Sequence, residues 1–317
     1  MDQRSAWGHF LLVLRGMAMG AVNVVPGVSG GTIALITGIY EELILSIKSF
    51  NAGLFRTLYK KGIMAAWKKV NGNFLAAVIF GILISIVSLV RLLSWLFEHH
   101  AMLVWAFFFG LIVGSAIYIG GKIRRWSYLS VSFLIIGTLT AYYITIATPA
   151  TGPDKLWFIF LSGSIAFCSL VLPGISGAFI LALLGKYEYM VNAVRDWEML
   201  VITVFGIGGV AGVIAFSNLI GWLLKKHPNA TLALLSGFMI GSLNKLWPWK
   251  KVLETRLTSS GEEVPFLEQS ISPWQYAAMT GEDPGVLPVV LLALTGVACI
   301  LVFAFIKTPN GKRIEHP

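Results

Sequence analysis

The chain has 317 residues, of which 56% are hydrophobic and 12% charged, with a mean hydropathy of +0.79. Soluble domains carry about one charged residue in four, so the composition excludes a water-soluble enzyme or binding module and points to an all-α polytopic membrane protein. The net charge of +9 reads as cytoplasmic loops facing anionic lipid, with no nucleic acid as partner.

In chain order, residues 1–6 hold one Arg and one Asp, and no small-residue cleavage site follows a short apolar core. The first hydrophobic run is therefore read as retained, not as a signal peptide. Residues 10–25 are apolar except for Arg15 and Asn23. The run then breaks at residues 24–32, Val-Val-Pro-Gly-Val-Ser-Gly-Gly-Thr. Pro26 biases Val25 away from the helical region and donates no backbone hydrogen bond. Gly27 lets the chain turn, and Ser29 is a good N-cap for the helix expected over 28–47. Gly30 and Gly31 are expected to leave that helix's first N–H groups open to a ligand. Residues 49–70 are amphipathic and basic, with Arg56, Lys60, Lys61, Lys68 and Lys69, and should lie on the membrane surface. Spans are expected over 74–97, which carries Arg91, over 101–120 and over 127–147. Residues 148–154 form a linker. The second half repeats the order: 156–172, a break, 175–194, then spans over 199–224, 230–246 and 285–306. Residues 247–284 read as a polar loop with no partner in the first half. Cys168 and Cys299 sit inside apolar runs and support neither a disulfide framework nor a metal site. No cofactor motif is present.

The breaks are copies of one another. Shifted by 147 residues without a gap, nine of the eighteen positions from Val24 to Glu41 meet an identical partner, including Pro26, Gly27, Ser29, Gly30, Gly38, Tyr40 and Glu41. A second ungapped match, at a shift of 127, pairs His100, Ala106, Gly110, Gly114 and Ser115 with His227, Ala233, Gly237, Gly241 and Ser242. The domains expected are thus two repeats, 1–150 and 151–317, each a Pro-Gly-broken helix pair followed by three transmembrane helices. The pair returns the chain to its starting side, or spans and comes back. Three net crossings then put the second repeat upside down relative to the first. Charge agrees. With both termini in the cytoplasm, fifteen cations fall inside and seven outside, the bias that inner-membrane proteins show. Broken helices at matched positions of inverted repeats point to a transporter site near the midplane.

Two helix N-termini aimed at one cavity make an anion site. The candidate residues are Asn23, Gly27, Ser29, Gly30, Gly31 and Thr32 at the first break, and Gly174, Ser176 and Gly177 at the second. Arg15 and Arg91 join them as the cations deep in apolar runs, where charge is costly and functional by default. Glu41 and Glu188, each one residue after a Tyr, are the candidate proton carriers, since partial burial raises a carboxyl into a useful range.

The run from Gly16 to Leu43 resembles the signature of the PopT family, and the Pro-Gly-Ile-Ser-Gly run ending at Gly177 fits the same pattern. The resemblance covers nearly the whole chain. It implies a flippase that returns undecaprenyl phosphate, the lipid carrier of envelope sugars, from the outer to the inner leaflet of the bacterial inner membrane. Relatives often carry Asp where this chain has Asn23, so no titrating role is assigned there. Two rivals remain at this point. The Pro-Gly-Val-Ser-Gly-Gly run is distantly similar to a loop of undecaprenyl pyrophosphate phosphatases, but the loop Arg and a Glu-x-x-x-Glu pair are missing. An anion channel or exchanger would use the same broken helices. Oligomeric state is open, a homo-oligomer included.

Overall fold

The computed structural model describes residues 4–23, 29–149, 152–257 and 263–305. Helix α1 is Ala6–Asn23, and after the break come α2, Gly30–Ile36, and α3, Tyr40–Lys48. The basic helix α4 is Ala52–Lys69, interrupted at Gly62. α5, Gly72–Gly120, is two arms in one, bent at His100 (φ −140°, ψ 38°). α6 is Tyr128–Ile146. The same sequence of elements follows: α7, Leu156–Val171; α8, Gly177–Leu183; α9, Tyr187–Arg195; α10, Met199–Lys226; and α11, Pro228–Ser242. A two-stranded hairpin, β1 Lys250–Leu257 and β2 Glu263–Ser270, a short helix α12, Pro273–Thr280, and α13, Val286–Phe305, complete the described chain.

Four helical stretches among the described residues are long and apolar enough to cross a membrane: Gly72–Leu89, Trp95–Gly120, Tyr128–Ile146 and Met199–Lys226. The pair α2 and α3 qualifies as a fifth when taken together. Large apolar side chains stand bare on the outside, among them Val87, Ile117, Tyr143 and Ile207. Such a surface is costly in water and natural against acyl chains. The protein is a multi-pass membrane protein.

The expected single helix over 28–47 is in fact two, bent by 119° between α2 and α3. The bend is made at Gly38, whose φ of +76° lies in the left-handed region that glycine occupies without strain. Gly185, with φ +66°, does the same between α8 and α9. Arg4 at the foot of α1 pairs with Glu42 of α3, which also accepts from Asn71 at 2.7 Å. In the second half, Lys186 beside α9 pairs with Asp154 at the foot of α7 and donates to the Gly152 carbonyl. These ion pairs tie the start of α3 to the foot of α1 and the turn before α9 to the foot of α7.

Glycine sets the helix contacts, because its missing side chain lets backbones approach. A Cβ on Gly16 would overlap the Val78 carbonyl, and one on Gly81 the Val13 carbonyl. These contacts hold α1 against the first arm of α5. Gly163 against Phe205, and Gly208 against Phe160, hold α7 against α10 in the same way. The remaining pairs cross between the halves. Gly137 on Leu234 and Gly237 on Leu134 join α6 to α11, while Gly296 on Phe107 and Gly110 on Ala293 join α13 to the second arm of α5. Each half thus lends its last helix to the other.

The described residues of the expected polar loop, 247–257 and 263–284, form a hairpin and a short helix. β1 pairs antiparallel with β2, with Lys250 opposite Ser270. The capping box of Ser272 and Gln275 starts α12. Buried chemistry secures the hairpin. Lys245 and Lys250 reach Glu268 at 3.1 and 3.3 Å, Lys250 lies 3.8 Å over the Trp105 ring, and the Trp249 indole donates to the Pro284 carbonyl. Burial pushes the Lys250 ammonium down to about 8. Burial alone would raise the Glu268 carboxyl, but the two lysines overcome it and hold the group below the usual carboxylate range.

Candidate substrate site at the two helix breaks

Ser29 is the N-cap of α2, with extended backbone (φ −118°, ψ 139°), and its Oγ accepts from the Gly31 amide at 3.1 Å. The Gly30 amide donates to Asn23 Oδ1 at 2.6 Å. The Thr32 amide donates to the Ser29 carbonyl at 2.9 Å. Gly30 and Gly31 therefore do not stand open, as their sequence suggested. The chain satisfies them with its own oxygens, because an unpaired amide in this buried place would cost about 1–3 kcal/mol.

The two breaks meet. The Gly174 amide donates to Thr32 Oγ1 at 3.2 Å. The Ser29 hydroxyl points at the Ser169 and Leu170 carbonyls, 3.2 Å from each. A Cβ on Gly31 would overlap the Val171 carbonyl, so only glycine lets α2 start against the end of α7. Gly174 takes φ +84° at the second turn, packed on Ser242 and Phe238. Ser29, Thr32 and Ser176 are all buried.

The two copies differ in how they are capped. Ser176 precedes α8 in the N-cap place, yet its side chain makes no capping bond. Leu170 stands where the first copy has Asn23. Ser169 supplies a hydroxyl nearby, donating to the Ala166 carbonyl at 2.7 Å beside Gly177. Ser169 escaped the sequence reading because its copy in the first half is Val22 and no motif marks it.

The other candidates lie apart from the breaks. Arg15 is half-buried on α1, eight residues before Asn23, or roughly 12 Å of helix rise. Arg4 and Glu42 are the charges that act on it. Glu41 is exposed in the first turn of α3, and Glu188 half-buried in the first turn of α9. Gly27, and the side chain of Arg91, lie outside the described residues.

The profile of the family described as Undecaprenyl phosphate translocase-like matches residues 19–264. The chain belongs to that family. A polyprenyl-phosphate transporter of Vibrio cholerae serotype O1 is 41% identical over 288 residues, covering 91% of this chain and 94% of the relative. A polyprenyl-phosphate transporter of Staphylococcus aureus is 33% identical over 256 residues, covering 74% of this chain and 85% of the relative. Both relatives are transporters by name, not enzymes. No solved structure matches the chain.

Proposed function

We propose that this protein carries undecaprenyl phosphate from the outer to the inner leaflet of the bacterial inner membrane, returning the lipid for envelope synthesis. The observation that carries the reading is the contact between the two breaks, Thr32 to Gly174 and Ser29 to Leu170, in a chain whose relatives are named polyprenyl-phosphate transporters. The phosphate replaces Asn23 Oδ1 and Ser29 Oγ on the Gly30 and Gly31 amides, so those two oxygens stand in for phosphate oxygens in the unloaded protein. Gly27, Thr32, Gly174, Ser176 and Gly177 complete the cradle. Helix N-termini suit an anion by their free donors and dipoles. Arg15 and Arg91 provide positive charge along the apolar path, and Glu41 and Glu188 carry the coupling proton.

The halves are inverted repeats with both termini cytoplasmic. Three features support this: a bent pair at the start of each half, the like order of helices that follows (α5 in two arms and α6 after the first, α10, α11 and α13 after the second), and glycine contacts recurring 147, 127 and 159 residues on, as in Gly16, Gly81 and Gly137 against Gly163, Gly208 and Gly296. α6, α11, α13 and the second arm of α5 form a frame built from both halves. The two arms, α1–α3 with the first arm of α5 and α7–α9 with α10, join that frame at His100 and His227. These residues have matching non-helical backbones (φ −140° and −136°). Alternating access is the rocking of these arms on the frame, with the lipid tail remaining in the bilayer.

The test is reconstitution into liposomes with undecaprenyl phosphate on one leaflet, with and without a proton gradient. Leaflet exchange that depends on the protein is expected. Absence of exchange under both conditions refutes the function, and exchange indifferent to the gradient refutes the proton coupling.

A further inference from the structure

A cavity of about 640 Å³ opens at the end of the bundle where α10 meets α11, away from the breaks. Its walls come from the tip of the first broken pair (Leu35, Gly38, Tyr40, Glu41), from the end of α5 with Lys122, and from the end of α10 with Lys225. The cavity thus lies where a rocking arm meets the frame. Three observations describe what it fits. Lys122 and Lys225 are exposed at the mouth, giving two cations against the one carboxylate of Glu41. Tyr40 is 2% exposed, and its hydroxyl has no hydrogen-bond partner among the described residues. A buried hydroxyl without a partner is costly, and this one belongs to a residue of the cavity wall, where a ligand oxygen would satisfy it. The remaining wall, Ile119, Leu224 and Leu232, is apolar and faces the same space.

The corresponding turn of the second pair is built differently. Lys186 stands there in place of Ile39. Its ammonium is tied to Asp154 and the Gly152 carbonyl, and it packs against the Phe158 and Tyr189 rings. That turn is closed by the protein's own ion pair, while the first turn keeps an open, cationic space.

We infer that this cavity is a second station for a phosphate monoester bearing an apolar tail, in which Lys122 and Lys225 take the phosphate, the Tyr40 hydroxyl donates to it, and the Ile119–Leu224–Leu232 wall takes the first carbons of the tail. The assignment rests on the transport reading above and adds to it a landing place between the breaks and the leaflet surface. Glu41, at the cavity wall, is the one like charge the phosphate meets there and keeps its hold reversible.

The experiment uses the full chain in nanodiscs and measures binding of farnesyl phosphate, farnesol and inorganic phosphate, then leaflet exchange in liposomes. Wild type should bind farnesyl phosphate, and farnesol at least about ten-fold more weakly, since charge-assisted bonds dominate. Lys122→Gln with Lys225→Gln should weaken farnesyl phosphate by about ten-fold or more, and Tyr40→Phe by a few-fold. Lys226→Gln, whose ammonium sits over the Trp222 ring, should change nothing. Both lysines are exposed, so the double variant keeps its fold, as a wild-type thermal transition would confirm. Wild-type affinity in the double variant overturns the inference. Inorganic phosphate binding as tightly as farnesyl phosphate overturns the tail assignment and makes the cavity a site for the free ion. Neither result touches the transport reading, which falls only if wild type fails to exchange lipid.

Discussion

Replacing Thr32 by Val tests the joint between the two breaks. Thr32 is fully buried, and its Oγ1 accepts from the Gly174 amide at 3.2 Å. Valine has nearly the same shape, so no cavity forms and the change isolates the oxygen. The Gly174 N–H is left buried without an acceptor, at a cost of about 1–3 kcal/mol. At roughly 2–4 °C per kcal/mol, the thermal transition should fall by several degrees. Thr32→Ser keeps the acceptor and loses one methyl, worth about 0.8 kcal/mol, so it should be the milder change. The assay is thermal unfolding of purified protein in one detergent, followed by tryptophan fluorescence, with leaflet exchange measured in parallel. Exchange should fall more in the Val variant than in the Ser variant. A Val variant as stable as wild type, beside a less stable Ser variant, would show that the methyl and not the oxygen matters there, and would refute the joint.

Three further outcomes follow from named contacts. Asn23→Ala should cost about 1–3 kcal/mol by leaving the Gly30 amide bare, seen as a lowered thermal transition, whereas Asn23→Asp, which keeps an oxygen for that amide, should leave the transition near wild type. Gly163→Ala should destabilise by about 1–3 kcal/mol through overlap with the Phe205 carbonyl, while Gly206→Ala, which meets nothing within 4 Å, should not, as paired melting curves will show. In the hairpin, the depressed Glu268 carboxyl contributes stability above its ordinary range that is lost as pH falls through its folded value. The Lys250 ammonium, lowered to about 8, costs stability below pH 8 that is regained as pH rises beyond it. Melting across pH 3–10 should therefore show Glu268→Gln removing the acid-side loss, with a drop of about 3 kcal/mol near neutrality from the uncompensated lysines.

The helical membrane fold was legible, because long apolar runs carry it: four of the expected spans are helices of membrane length. The bends at Gly38 and Gly185 were not, since both segments read as single helices running on past these glycines. What could not be read was where the amides' partners come from. Asn23 was recognisable as polar beside the first break, but its role as the cap of Gly30 depends on how α1 ends against α2, which no local pattern encodes. Ser169 and the Lys186–Asp154 pair were missed for a related reason: neither has a like residue in the other half. The hairpin was read as a loop because its strands are short and charged. Its order comes from the burial of Lys250 and Glu268 beneath Trp105 and Trp249, a contact between segments far apart in sequence.

The exchange of last helices has a consequence for biogenesis. As the chain leaves the ribosome, α6 and the second arm of α5 enter the lipid before α11 and α13 exist. Gly110 and Gly137 then face acyl chains where helix backbones will later sit. Neither half can finish folding alone, so two fragments cut in the 148–154 linker should mature only when co-translated, each a chaperone for the other.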